Sequence, residues 1–451
     1  MSKHKSDKKL NSIKTGLFSR GFTLAKLSAQ ASAGFATQKV TGLIKSKAAQ
    51  DQSWQKFLVT QTQSFSTEVG ELKGSLMKAG QMLSVYGEYF FPPEVNSILK
   101  TLQNDSPSLA WPQMLEILKK EWSEELLNEL EIETEPLASA SMGQVHRARL
   151  KETGESLVIK IQYPGVDQAI ESDLKALKKF IILIKALPNN LSLDPLMDEM
   201  KEMLTQEMNY TREIELMEMY REYLGEDSRF IIPQVYSRFC TQKVIVQSFE
   251  RGLKADDPII QSLSQERRNR IAQNFLELYF KELFEWHLIQ TDPHLGNYRL
   301  RMDPMGHDKI VLFDFGATKK FDAVFMKNYA DMICGAIQRS PDFEEASFKL
   351  GFIQKSDDPK LIEIFTDFCF QTVEPFGNTA YDWKNTDLPR RITQIAMRIV
   401  KEFPLRTPPR EIVFLDRKTA GVFIFLSVLG AKFEAGPMIM KYLKPRDQNL
   451  K

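Results

Sequence analysis

Cysteine is scarce in this chain: Cys240, Cys334 and Cys369 are its three thiols, scattered over 451 residues with no CxxC pairing. That usage argues against a disulfide framework and a thiolate zinc site, and it suits a reducing compartment. Histidine is scarce too, with five scattered residues, which argues against a metal held by imidazoles. Net charge is nearly absent. The formal value is +1, so no overall field draws the chain to nucleic acid or lipid, and any such attraction has to be local. Long apolar runs are missing as well. "FIILIKALP" from Phe180 and "AGVFIFLSVLGAKF" from Ala420 fall short of the roughly 18 to 20 apolar residues that span a bilayer before a lysine interrupts them, so both read as core helices. No secretory h-region is present.

What is there is globular. Hydrophobic residues make up 43% and charged ones 26%, and the length allows two or three domain-sized units or one enlarged catalytic domain. The first 50 residues differ from the rest: ten basic residues, from Lys3 to Lys47, stand against one acidic residue, Asp7. Leu17, Leu24 and Ala31 recur every seven residues with Phe18, Leu27 and Phe35 nearby. A disordered tail or a basic amphipathic helix at an anionic membrane surface both fit. The stretch also has the acid-poor, Ser-rich look of a transit peptide, but lysine outnumbers arginine nine to one, which favours a cytoplasmic, peripherally membrane-associated protein.

From about Gln52 to Glu131 the pattern is helical, with "QNDSPSLAWPQ" as a loop in which Ser108 or a neighbour could cap the next helix. Within that region "LMKAGQMLSVYG", Leu76 to Gly87, reads as a helix although Gly80 costs about 1 kcal/mol there relative to Ala. Lys78 and Gln81 share a face beside that glycine. "QVHRARL" and "ESLVIKIQ", joined by "KETG", predict a β-hairpin. Asp194 and Pro195 predict the start of one long helix running towards Tyr223. "RFIIPQVYSRF" and "QKVIVQSF" predict two more strands, residues 252–258 a connector, and nearly everything beyond Ser264 helix except "GHDKIVLFDFG". This order describes an α+β fold of two lobes with a cleft: a basic arm (1–50), a helical extension (51–131), an N-lobe (132–253) and a helical C-lobe (254–451).

Three pieces carry chemistry in sequence order. Lys160 lies in the apolar strand "LVIKIQ"; Asp292 and Asn297 stand five apart in "QTDPHLGN"; Asp314 opens "DFG" after an apolar strand. Protein kinases use the same order: a strand lysine for the α- and β-phosphates, an Asp followed by an Asn, and an Asp-Phe-Gly for magnesium. Lys160 and Mg²⁺ would offset the charge of ATP, Asn297 and Asp314 supply hard oxygens for the metal, and Asp292 would orient or deprotonate an attacking hydroxyl or water. The glycine-rich loop of ordinary kinases is missing. "PLASASMGQVHRA" puts Ala138, Ser139, Ala140 and Ser141 where the flexible glycines belong, so the loop over the nucleotide is stiffer.

That loop, with "KAGQ" ahead of it and "QEMNYTREI", "QTDPHLGNY" and "LFDFGATKKF" behind it, resembles the UbiB family of atypical kinase-like proteins over about residues 71–321. The resemblance implies a helical extension folded over the nucleotide cleft, with Lys78 and Gln81 reaching the site. It also implies Glu207 as the ion-pair partner of Lys160, and ATPase activity more than phosphorylation of proteins, in support of isoprenoid-quinone or other lipid metabolism. Family members usually carry Glu-x-Asp in the long helix, and here Asn209 replaces the Asp. The partners implied are nucleotide, an anionic membrane surface, lipid or quinone intermediates and lipid-pathway enzymes, without nucleic acid. A small-molecule or lipid kinase and a nucleotide-binding scaffold are the alternatives.

Overall fold

The hairpin anticipated around Lys160 is the centre of a four-stranded sheet. The computed structural model describes residues 75–86, 108–139, 142–183, 193–403 and 409–443. These form two units, the first ending at Ile214 and regained over Gln234–Phe249, the second comprising Glu215–Pro233 and the chain from Glu250. The basic arm falls outside the described residues.

The first unit contains α1 (Ser75–Tyr86), α2 (Trp111–Glu121), α3 (Glu124–Asn128), β1 (Leu130–Ser139), β2 (Gly143–Leu150), β3 (Ser156–Gln162), α4 (Val166–Leu183) and α5 (Asp194–Glu207). It also contains the start of α6 (Tyr210–Leu224). After β4 (Phe230–Ile231), which belongs to the second unit, β5 (Val244–Ser248) closes the antiparallel order β1-β2-β3-β5. Leu157, Ile159 and Ile161 on β3 are completely buried, as expected of a central strand. The β2–β3 turn closes on Gly154 at φ 76°, which a side-chain-bearing residue adopts only at a cost. β1 had no counterpart in the sequence reading: its register against β2 is broken twice between Ile132 and Ala138, which blurs the alternation of a regular strand. Helix α2 starts behind Ala110 with Pro112 in its first turn and no side-chain cap, so Ser108 does not cap it.

The single long helix expected from Asp194 to Tyr223 is two helices. Asn209 separates α5 from α6, and its side-chain oxygen accepts from the backbone N–H of Arg212 at 3.0 Å. An Asn at this position offers the backbone an N-cap in place of a continued helix.

The second unit continues with α7 (Pro258–Gln261), α8 (Gln265–Lys281), a five-residue π turn (Glu282–Trp286), β6 (Leu288–Gln290), β7 (Tyr298–Arg301), β8 (Lys309–Leu312) and β9 (Thr318–Lys320). Then come α9 (Ala323–Gln338), α10 (Asp342–Leu350), α11 (Pro359–Thr372), β10 (Tyr381–Asp382), α12 (Leu388–Glu402), α13 (Arg410–Val428), β11 (Lys432–Phe433) and α14 (Gly436–Leu443). β8 pairs parallel with β4 and antiparallel with β7, which is why residues 215–233 group with this unit rather than with the N-lobe of the sequence reading. Phe275, Phe280, Phe343 and Phe425 are buried at its core. The run from Ala420 lies on α13 with Val422, Phe425 and Leu426 buried, and no described helix is long and apolar enough to cross a membrane.

Candidate functional site

In the first unit the break at Asn209 sorts two glutamates between two lysines. Lys160 Nζ donates to both oxygens of Glu213, at 2.8 and 2.9 Å, and lies 5.0 Å above the Tyr210 ring. Glu207, the partner expected for Lys160, is instead paired with Lys78 at 2.9 Å. The correction has a simple cause: Glu207 ends α5 and Glu213 stands in the first turn of the newly capped α6, so the two carboxylates do not share one helix face. Asn209, which stands where the family pattern has a carboxylate, caps α6 through its amide oxygen.

Helix α1 packs on α4 and α5. Ser75 donates to Asp173 at 2.6 Å with both residues fully buried, which fixes the helix that carries Lys78. Gly80 is buried in that helix. Gln81 lies on α1, but its side chain is outside the described residues. Ala138 and Ser139 end β1, and the Ser139 hydroxyl is 2.8 Å from that of Tyr163, whose own pKa burial pushes up to about 12. Ala140 and Ser141 lie outside the described residues.

The residues that follow the alanine loop build structure. A Cβ on Gly143 would sit 2.5 Å from the carbonyl oxygen of Ile161, so only glycine lets β2 approach β3 there. Gln144 accepts from the Leu109 backbone N–H at 3.0 Å and places its amide nitrogen 2.8 Å from His146 Nε2, while His146 Nδ1 lies 2.8 Å from the Glu133 carbonyl. Burial lowers the His146 pKa, which favours the neutral ring. The two contacts then assign the proton to Nδ1 and leave Nε2 to accept.

In the second unit, β6 pairs with β9 and so ties together the loops that follow β6 and precede β9. Thr291 Oγ1 donates to the Ala317 carbonyl at 2.6 Å. Asn297 Nδ2 donates to the backbone carbonyl of Asp292 at 2.8 Å, and the Asn297 carbonyl accepts from Phe313 N–H at 3.1 Å. Asp292, Asn297 and the strand leading to Asp314 are thereby held in one network. Asp314 Oδ1 accepts from Gly316 N–H at 3.0 Å, and Phe315 is buried with its ring 4.9 Å from that of Tyr220. The donor set fits a hard divalent cation: with the Asn297 amide nitrogen committed to Asp292, its oxygen is the atom left for a metal, and the Asp314 carboxylate is a second hard oxygen donor. No cluster of three or more His, Cys, Asp or Glu suited to a metal occurs among the described residues, so Mg²⁺ here would depend on oxygens brought by its ligand.

Three paired residues were not found in the sequence. Glu213 is one; the capping Asn209 between it and Glu207 is the signal that separates them. Arg417 donates to Asp292 Oδ1 at 2.6 Å from α13, 125 positions away. Lys418 pairs at 2.6 Å with Glu282, both almost fully buried, and Glu282 also accepts from Tyr220 at 3.0 Å. The only trace of Arg417 and Lys418 in the sequence is a charged triplet, Asp416-Arg417-Lys418, between the apolar runs Ile412–Leu415 and Val422–Leu426 of one helix.

Comparison with known proteins gives the family. The profile of the ABC1 atypical kinase-like domain matches residues 101–343. A mitochondrial atypical kinase of Schizosaccharomyces pombe, COQ8, is 30% identical over 379 residues, covering 83% of this chain and 61% of that protein. Rat mitochondrial atypical kinase COQ8B is 31% identical over 80% of this chain and 67% of its own length. Saccharomyces cerevisiae COQ8 is 28% identical over 95% of the chain and 86% of its own length. Among solved structures, that of Rv3197 from Mycobacterium tuberculosis in complex with erythromycin matches with a TM-score of 0.58 and 26% identity, covering 84% of this chain and 94% of that one.

Proposed function

This chain belongs to the ABC1 atypical kinase-like family, and on that premise we propose that it binds ATP with Mg²⁺ and hydrolyses it in support of isoprenoid-quinone or other lipid metabolism at a membrane surface. The observation that carries the reading is the Lys160–Glu213 pair, because a strand lysine fixed by a helix glutamate is what a phosphate-binding kinase lysine requires. Lys160 would hold phosphate charge, and Asn297 and Asp314 would supply oxygen ligands to the metal. Bound Mg²⁺ would neutralise charge on the phosphates. Asp292 orients the attacking water, with Arg417 fixing one of its oxygens and the Asn297 amide fixing its backbone. The quinone or lipid setting rests on the UbiB resemblance and on the COQ8 relatives.

The purified protein is incubated with ATP and Mg²⁺, with and without anionic liposomes, while phosphate release and any labelled lipid are followed. Release without a labelled acceptor is expected; a labelled lipid would replace the ATPase reading with a lipid kinase. Asp314→Asn is expected to abolish magnesium-dependent turnover, and unchanged turnover would remove Asp314 from the site. Deletion of residues 1–50 is expected to weaken liposome association at low salt, as an electrostatic tether requires. Unchanged association would leave the arm without a membrane role.

A further inference from the structure

The loop that carries the alanines is fastened on both sides to one residue. Ser139 ends β1 and Gly143 opens β2, with Met142 immediately before it. The Ser139 hydroxyl lies 2.8 Å from that of Tyr163, and the Tyr163 backbone N–H donates to the Met142 carbonyl at 2.9 Å. One tyrosine therefore holds the entry of the loop through its side chain and the exit through its backbone. Tyr163 is 2% exposed, so this anchor belongs to the core of the first unit.

Tyr163 directly follows β3 and stands three positions beyond Lys160. The lysine and the loop thus share one support. Lys160 is fixed by Glu213 and lies over the Tyr210 ring, and the Tyr210 hydroxyl is 3.1 Å from where a Cβ on Gly143 would stand. The two sides of the loop are not equally secure. The exit pairs in regular register with β3, Gly143 opposite Gln162. The entry ends a strand whose register is broken twice, and Leu137, Ala138 and Ser139 are exposed there. An exposed serine gains little stability from one neutral hydrogen bond, because water serves its hydroxyl almost as well. What a bond to a buried tyrosine fixes is position. A loop held in this way is ordered before a ligand arrives, so less freedom is lost when phosphates reach Lys160 and the bound state is favoured.

We propose that Tyr163 is a positioning residue for nucleotide binding: with Ser139 it latches the alanine-bearing loop to the strand of Lys160, and the latch slows nucleotide release. The inference rests on the reading of Lys160 as a phosphate-binding lysine.

The full chain with Mg²⁺ is loaded with N-methylanthraniloyl-ATP and chased with excess ATP, and the release rate is followed by stopped-flow fluorescence beside the thermal midpoint of the unliganded protein. Tyr163→Phe keeps the buried ring and Ser139→Ala keeps the Cβ, and each removes one hydroxyl. Each is expected to speed release about fivefold, the factor that one neutral hydrogen bond is worth. Ser139→Thr keeps a hydroxyl and should release at the parent rate. The double variant should be no faster than either single one, because both remove the same contact. Unchanged release in Tyr163→Phe, effects that multiply in the double variant, or a Ser139→Thr as fast as Ser139→Ala would each overturn the latch. A lower midpoint with unchanged release would do the same, since it assigns the bond to stability alone. A parent that binds no analogue would overturn the ATP reading and the latch together, whereas a parent that binds it and variants that release it at the same rate overturn the latch only.

Discussion

Glu207 and Glu213 are chemically identical and structurally distinct, because Asn209 ends one helix and begins another between them. The Lys160–Glu213 pair is the more buried, with Glu213 only 2% exposed against 23% for Glu207. Glu213→Ala is therefore expected to cost about 3 kcal/mol in urea unfolding, since it strands a half-buried lysine. Glu207→Ala should cost about 1 kcal/mol or less. The same two variants should part company in nucleotide binding, with Glu213→Ala losing ATP-dependent thermal stabilisation because Lys160 is no longer held. Similar losses in both would contradict the sorting of the pairs. Asn209→Ala should cost about 1 kcal/mol through the lost cap and Asn209→Asp nearly nothing. The sequence singled out Lys160 and Lys78, since both sit in local motifs. It could not show which glutamate each takes, because that depends on where a helix breaks, and a capping Asn is a weak signal beside a strong run of helix formers.

Among the elements, α13 and the loop after β6 depend on each other most directly. Arg417 fixes Asp292, and Gly421, one turn further on, makes room for Pro293: a Cβ there would stand 2.2 Å from the proline Cγ. Gly421→Ala is expected to push the Asp292 loop away and reduce ATP turnover by much more than it reduces stability, which should fall by about 1 to 3 kcal/mol. Arg417→Ala should lower turnover while leaving the thermal shift given by Mg²⁺–nucleotide largely in place, because Arg417 positions Asp292 and touches neither Asn297 nor Asp314. Loss of nucleotide binding in Arg417→Ala would show that it holds the phosphates instead. "QTDPHLGN" and "VLFDFG" were legible because their spacing is local and their chemistry specific. Their support from α13 was not, since it comes from 125 positions downstream and carries no motif. The hairpin around Lys160 and the strand of Val244–Ser248 were legible from alternation, whereas β1 was hidden by its bulges and the long helix was overextended.

At the scale of the whole molecule, stability should respond to acid through an aspartate of the second unit. Asp227 is held down to about 2 from 3.8, chiefly by the side-chain hydrogen bond from Arg229. Its folded pKa is depressed, so its contribution of about 2 kcal/mol is present above pH 3.8 and disappears as the pH falls towards 2. Asp227→Asn should be less stable than the parent at pH 7 and converge with it near pH 2. A difference that stays constant between pH 2 and pH 7 would remove the Arg229 contact as its cause. The two-lobed order was readable from the sequence, but this response was not: it arises where Asp227 meets Arg229 and also Lys281, which only the folded chain brings close.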